Sequence, residues 1–115
     1  MSETVKKYAL LAIKALLTLA FVAAGGAKLA GAEMMVAVFD AIGWGQWFRY
    51  VTGIIEVGSA VLLWIPGLAW IGAGLLTATM AAAVLFHLLV LGPSAVPALI
   101  LGILAAIILK THRPA

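Results

Sequence analysis

The chain contains no cysteine and only two histidines, His87 and His112. Without a thiol it can form no disulfide, thiolate metal site, iron–sulfur cluster, covalently attached haem or cysteine nucleophile. Charge is equally scarce. Lys, Arg, Asp and Glu make up 10% of the 115 residues and apolar types 66%, whereas soluble domains carry about 25% charged and about 45–50% apolar residues. So short a chain cannot hide that much apolar surface in a water-soluble core. Soluble enzymes, zinc or disulfide scaffolds and nucleic-acid binders are therefore excluded, the last despite an isoelectric point near 9.6. With a mean hydropathy of +1.24, the solvent that fits is a lipid bilayer. The length allows one domain, residues 1–115, and at most four transmembrane helices of about 20 residues each.

Four apolar stretches are present. The first covers about 8–29 and ends in Gly31; the second, about 48–65, is stopped by Pro66 and Gly67; the third, about 68–91, is closed by Gly92 and Pro93; the last, about 95–109, is short and rich in Leu, Ile and Ala. A lone segment in lipid must satisfy its own backbone groups, and a barrel needs many more strands, so each stretch is predicted helical. The opening 1–24 has the basic start of a signal peptide, but its apolar run is too long and is interrupted by Lys14. It reads as a retained first span. The expected fold is an all-α membrane protein, a four-helix up-and-down transmembrane bundle, with no internal repeat or dividing linker.

An even number of spans puts both termini on one side. That side carries Lys6, Lys7, Lys14, Lys110 and Arg113 against Glu3, and the other carries Lys28 and Arg49 against Glu33, Asp40 and Glu56. Basic residues are retained in the cytoplasm, so both termini are expected there. Trp47 and Trp64 lie 17 residues apart, roughly 26 Å along a helix, which is the spacing of two aromatic belts across a core about 30 Å thick. His87 and His112 fall toward opposite faces and cannot share one haem iron within a subunit; a role in electron transfer needs a borrowed cofactor.

The only long connection, 32–47, reads as a short interfacial helix between spans 1 and 2, broken by Gly43 and Gly45. Glu33, Ala37 and Asp40 share one narrow face of it, and Met34, Met35, Val38, Phe39 and Ile42 cover the rest. A plain connector is the simpler expectation, and a lid the sharper one. On the third span Gly74, Ala78 and Ala82 form a small-residue stripe for close packing, within the monomer or along a dimer seam.

Lys14 has a stem long enough to reach the headgroups. Glu56 has not. It lies about eight residues into the second span, roughly 10 Å deep by helix rise, where a carboxyl costs on the order of 2.5 kcal/mol unless protonated, paired or beside a water-filled cavity. It is expected to face the bundle interior, flanked by the small or polar Thr52, Gly53, Ser59 and Ala60. By depth alone, Lys28 at the end of span 1 and His87 near the end of span 3 converge on it. Two readings follow. The three residues are either an ion-pair clamp that fixes helix register, or the lining of a polar site for an amphipathic ligand such as a quinone or an isoprenoid.

The residues that stand out also carry a family likeness. The first span closes on Ala24-Gly25-Gly26-Ala27-Lys28-Leu29, the connection ends in Phe39-Asp40-Ala41-Ile42-Gly43-Trp44, and the second span contains Thr52-Gly53-Ile54-Ile55-Glu56-Val57-Gly58 before Leu62-Leu63-Trp64-Ile65-Pro66, with His87 late in the third. In this order the pieces resemble the DoxX and DoxX-like small membrane proteins over about 11–110. The resemblance implies a four-helix protein of the bacterial or archaeal cytoplasmic membrane. It also implies a subunit role: the family's name-giving member belongs to a thiosulfate:quinone oxidoreductase, and others are linked with oxidative-stress complexes. The family's span-1 Lys and span-2 Glu fall on Lys28 and Glu56. The chain departs from a self-sufficient redox subunit in having no cysteine and one membrane-embedded histidine, so no self-contained catalytic machinery is evident.

The leading expectation is a multi-pass inner-membrane protein in which Lys28, Glu56 and His87 bind a quinone-like or other lipophilic ligand. It would serve as a subunit or binding module for redox partner subunits, with no bound metal, no covalent cofactor and no nucleic acid partner. The alternatives are a structural or assembly protein without a ligand, and a small transporter working as a homo-oligomer.

Overall fold

Among the residues described by the computed structural model, 2–92 and 94–114, every regular element is a helix. In chain order they are α1 (Glu3–Ala30), α2 (Glu33–Ile42), α3 (Trp47–Leu62), α4 (Ala69–Phe86) and α5 (Val96–His112). Between the last two, α4 continues into one π-helical turn, His87–Leu91. Pro93, expected with Gly92 to close the third apolar stretch, lies outside the described residues. Two of these helical runs, Glu3–Ala30 and Ala69–Leu91, are long and apolar enough to cross a membrane.

Local chemistry sets the ends of these helices. Helix α1 starts ahead of its apolar stretch because the Ser2 hydroxyl accepts the Val5 N–H at 3.2 Å, with Glu3 in the first turn beside the positive end of the dipole. It stops where Gly31 turns left-handed at φ 74°, and the Ala32 N–H closes back on the Ala27 carbonyl at 3.0 Å. Gly43 ends α2 in the same way at φ 82°. Helix α3 gives out just before Pro66, in a series of tight turns that lead into Gly67 at φ 83°.

Helix α1 packs on α3 and α5, α3 on α4, and α4 on α5; α2 bridges α1, α3 and the π turn. Glycine makes two of these crossings close. A Cβ on Gly25 would lie 2.9 Å from the Gly53 carbonyl oxygen and 2.7 Å from a Val57 methyl, and one on Gly72 would lie 2.6 Å from the Ser59 carbonyl oxygen. The core is thin, built from Leu17, Phe21, Leu63, Leu76, Met80 and Ile108 with small alanines between them. Large apolar side chains such as Leu19, Ile54, Leu85, Leu89 and Ile103 point outward and are exposed on the isolated chain. That surface requires an apolar solvent. The long dimension, 46 Å, is close to the roughly 40–45 Å of a bilayer with its headgroups.

Candidate functional site

Along α3 the buried positions Arg49, Gly53, Glu56, Ala60 and Leu63 recur at intervals of four and three and form one face. Its first half is charged and its second half apolar. The Gly25–Gly53 crossing lays α1 against the charged half. One turn beyond Gly25 stands Lys28, one turn beyond Gly53 stands Glu56, and the helices run in opposite directions. Because a helical side chain leans toward its own N-terminus, the Lys28 stem leans back to the level of Glu56. The Lys28 Nζ lies 2.6 Å from Glu56 Oε1, with side-chain exposures of 13% and 2%. The contact is an ion pair. It is the one ion pair among the described residues.

Arg49, 5% exposed, extends this pair into a network. One guanidinium nitrogen donates to the Lys28 backbone carbonyl at the end of α1, where unpaired carbonyls and the negative end of the dipole favour a cation. Its Nε donates to Gln46 Oε1 at 2.7 Å, and Gln46 Nε2 donates in turn to Asp40 Oδ1 at 2.7 Å and to the Val36 carbonyl at 3.1 Å. A line of polar contacts thus runs from α2, through the start of α3 and the end of α1, to Glu56. It holds two basic and two acidic side chains, whose formal charges sum to zero.

Beside this network lies a cavity of about 570 Å³. Met34, Met35, Val38, Phe39 and Ile42 of α2 form one wall; Phe48, Thr52, Ile55 and Glu56 of α3 form another. Opposite stand Ala78, Thr79, Ala82, Ala83 and Phe86 of α4, with His87 and Leu91 of the π turn, and Lys28 reaches in from α1. Lys28, Glu56 and His87 therefore border one space. The Nδ1 of His87 is buried without a hydrogen-bond partner among the described residues. The π turn starts at that residue and closes with the Gly92 N–H on the His87 carbonyl at 3.0 Å; such turns are frequent at functional sites.

Two expectations change here. Helix α2 is more than a connector, since the five apolar residues that cover most of its surface are the ones that line the cavity. Within the monomer the stripe on α4 is not a packing seam along its length: Gly74 approaches Leu109, but Ala78 and Ala82 border the cavity. Sequence reasoning counted Arg49 only as a charge on the outer side and passed over Gln46. The signal was present for Arg49, which stands seven residues before Glu56 and so on the same helical face. Ser59 Oγ, buried one turn past Glu56 without a partner among the described residues, continues the polar face toward the apolar half.

The model of the DoxX-like family matches residues 12–109 of the chain. No curated protein and no solved structure matches it. The match takes in α2, α3 and α4 whole, α1 from residue 12 and α5 to residue 109, and the chain belongs to the DoxX-like family of membrane proteins.

Proposed function

We propose that this DoxX-like protein crosses the bacterial or archaeal cytoplasmic membrane four times, through α1, α3, α4 with its π turn, and α5. Both termini lie in the cytoplasm, and the cavity beneath α2 holds a quinone-like or other isoprenoid ligand. In that role the chain is a membrane subunit or binding module for redox partners. The observation that carries the reading is the unpartnered His87 Nδ1 in an otherwise apolar space that also receives Lys28 and Glu56. A volume of about 570 Å³ lies within the roughly 300–1,000 Å³ of small-molecule sites, which are mostly apolar with a few placed polar groups. A quinone fits that division. Its carbonyl oxygens accept hydrogen bonds from an imidazole N–H or an ammonium, and its isoprenoid tail lies along Met, Ile and Phe side chains.

The structural reading keeps one specific observation in its favour, the 2.6 Å ion pair at the Gly25–Gly53 crossing. The two separate by experiment. The protein is purified from its native membrane, and the lipophilic molecules it retains are identified by mass spectrometry, for the wild type and for a Glu56→Gln/His87→Ala double variant. Loss of a retained quinone or isoprenoid with the helices still folded supports the site. Full retention with only a lower melting temperature rejects it and leaves the clamp.

A further inference from the structure

The opposite end of the molecule contains a second cleft, of about 340 Å³, between the start of α1 and the end of α5. From α1 it takes Glu3, Lys6, Lys7, Leu10, Leu11 and Lys14, and from α5 Thr111 and His112. The α1 positions recur at i, i+3, i+4, i+7, i+8 and i+11, a single helical face. Three ammonium groups stand on this face against one carboxylate, and none is in an ion pair among the described residues. Lys14 is held in place. Its ammonium lies 5.9 Å from the centre of the Trp64 ring, and Trp64 Nε1 donates to Thr18 Oγ1 at 2.7 Å, which pins that indole to α1. Lys6 and Lys7 open the cleft, Leu10 and Leu11 form its middle, and Lys14 closes it roughly two turns further in.

We propose that this cleft binds the phosphodiester headgroup of an anionic phospholipid. The lysines surround the phosphate, the Thr111 hydroxyl and His112 imidazole sit across from them, and the acyl chains run over Leu10 and Leu11 along α1. Lys14 explains why the ligand is a lipid: its charge lies below the helix end, at a depth that a headgroup anchored by its chains occupies. Basic pockets between helices at a membrane surface recognise such headgroups by this chemistry. The site is distinct from the cavity under α2 and does not depend on what that cavity holds.

The test uses the full chain in mild detergent. Dioleoylphosphatidylglycerol and dioleoylphosphatidylcholine are titrated in, and bound lipid is counted by native mass spectrometry. One phosphatidylglycerol per chain is expected to be held over phosphatidylcholine. A lysine near an anionic surface contributes about 1 kcal/mol, or about fivefold, so the exposed pair Lys6→Gln/Lys7→Gln should weaken retention roughly thirtyfold and Lys14→Gln roughly fivefold. Lys110→Gln, at the same end but outside the cleft, should leave it unchanged. Retention in the presence of millimolar inorganic phosphate supports the lipid as the source; displacement by it assigns the cleft to a soluble phosphate and overturns the proposal. Equal binding of the two lipids, or an equal loss in the Lys110 variant, overturns it as well.

Discussion

Replacing Lys28 and Glu56 singly and together with methionine tests the physical core of the site. At 2.6 Å the charges attract by about 6 kcal/mol at an effective dielectric near 20, and removing both from water offsets most of that. The intact pair is therefore expected to be nearly neutral in stability, while each partner alone is costly. Lys28→Met leaves a carboxyl that is 2% exposed on a stem too short to reach the headgroups, at a cost of about 3 kcal/mol or more. Glu56→Met leaves an ammonium that is 13% exposed and can extend toward the headgroups, so its cost is smaller, about 1–2 kcal/mol. The double variant should return to within about 1 kcal/mol of the wild type, since two apolar side chains fill the same space. Reversible unfolding in mixed micelles, followed by helical circular dichroism, gives all four corners of the cycle. Additive losses would refute the pairing, and a Glu56 variant that costs more than the Lys28 variant would refute the reach argument.

Gly25→Ala places a methyl 2.7 Å from Val57 and 2.9 Å from the Gly53 carbonyl and should cost about 1–3 kcal/mol; Gly58→Ala, which meets nothing within 4 Å, should be neutral or stabilise by up to about 1 kcal/mol. Thermal unfolding of the two variants side by side checks the difference. Ala82→Leu, which fills cavity space without entering the core, should lower retention of the lipophilic ligand at least tenfold while the melting temperature stays within a few degrees. Burial, and then the Lys14 charge, hold the His112 imidazole below its ordinary value of 6.5 against the opposing hydrogen bond to the Ile108 carbonyl. The unfolded chain then binds more protons around that pH, so the stability His112 contributes is complete above 6.5 and is lost as pH falls through and below it. His112→Gln should flatten that slope in unfolding measured from pH 8 to 5.

Depth made Glu56 legible in the sequence. A carboxylate eight residues inside an apolar run has few places to go, and the cost of leaving it in lipid turned it inward before any contact was known. The role of α2 was not legible in the same way, since a helix apolar around most of its surface can lie on lipid as well as over a cavity, and the plain connector was the simpler expectation. Arg49 escaped because it stands near the start of its helix, where a cation is ordinarily a headgroup contact. What buries it is the carbonyl end of α1, and that end arrives only through the Gly25–Gly53 crossing, which is a fact of tertiary structure. The cavity escaped likewise. Small residues at i, i+4 and i+8 permit close packing or leave space, and the choice depends on whether the neighbouring helix advances into the gap. Along α4 it does so near Gly74 and does not at Ala78 and Ala82.

The two ends of the molecule differ in how their charge is completed, and that difference separates their roles. At the α2 end Lys28, Arg49, Glu56 and Asp40 neutralise one another through Gln46 and a helix terminus. The cavity beside them is lined by Lys28, Glu56 and His87 among apolar walls, which suits a lipophilic molecule with a few polar atoms. At the other end three lysines face one glutamate, with no ion pair formed among the described residues, and this cleft carries an excess of positive side chains that its surroundings must answer. The same Lys14 that raises this excess also disfavours a proton on His112. An anion seated among the lysines would cancel that field and raise the imidazole's proton affinity, so the acid slope of stability assigned to His112 should weaken in phosphatidylglycerol and persist in phosphatidylcholine.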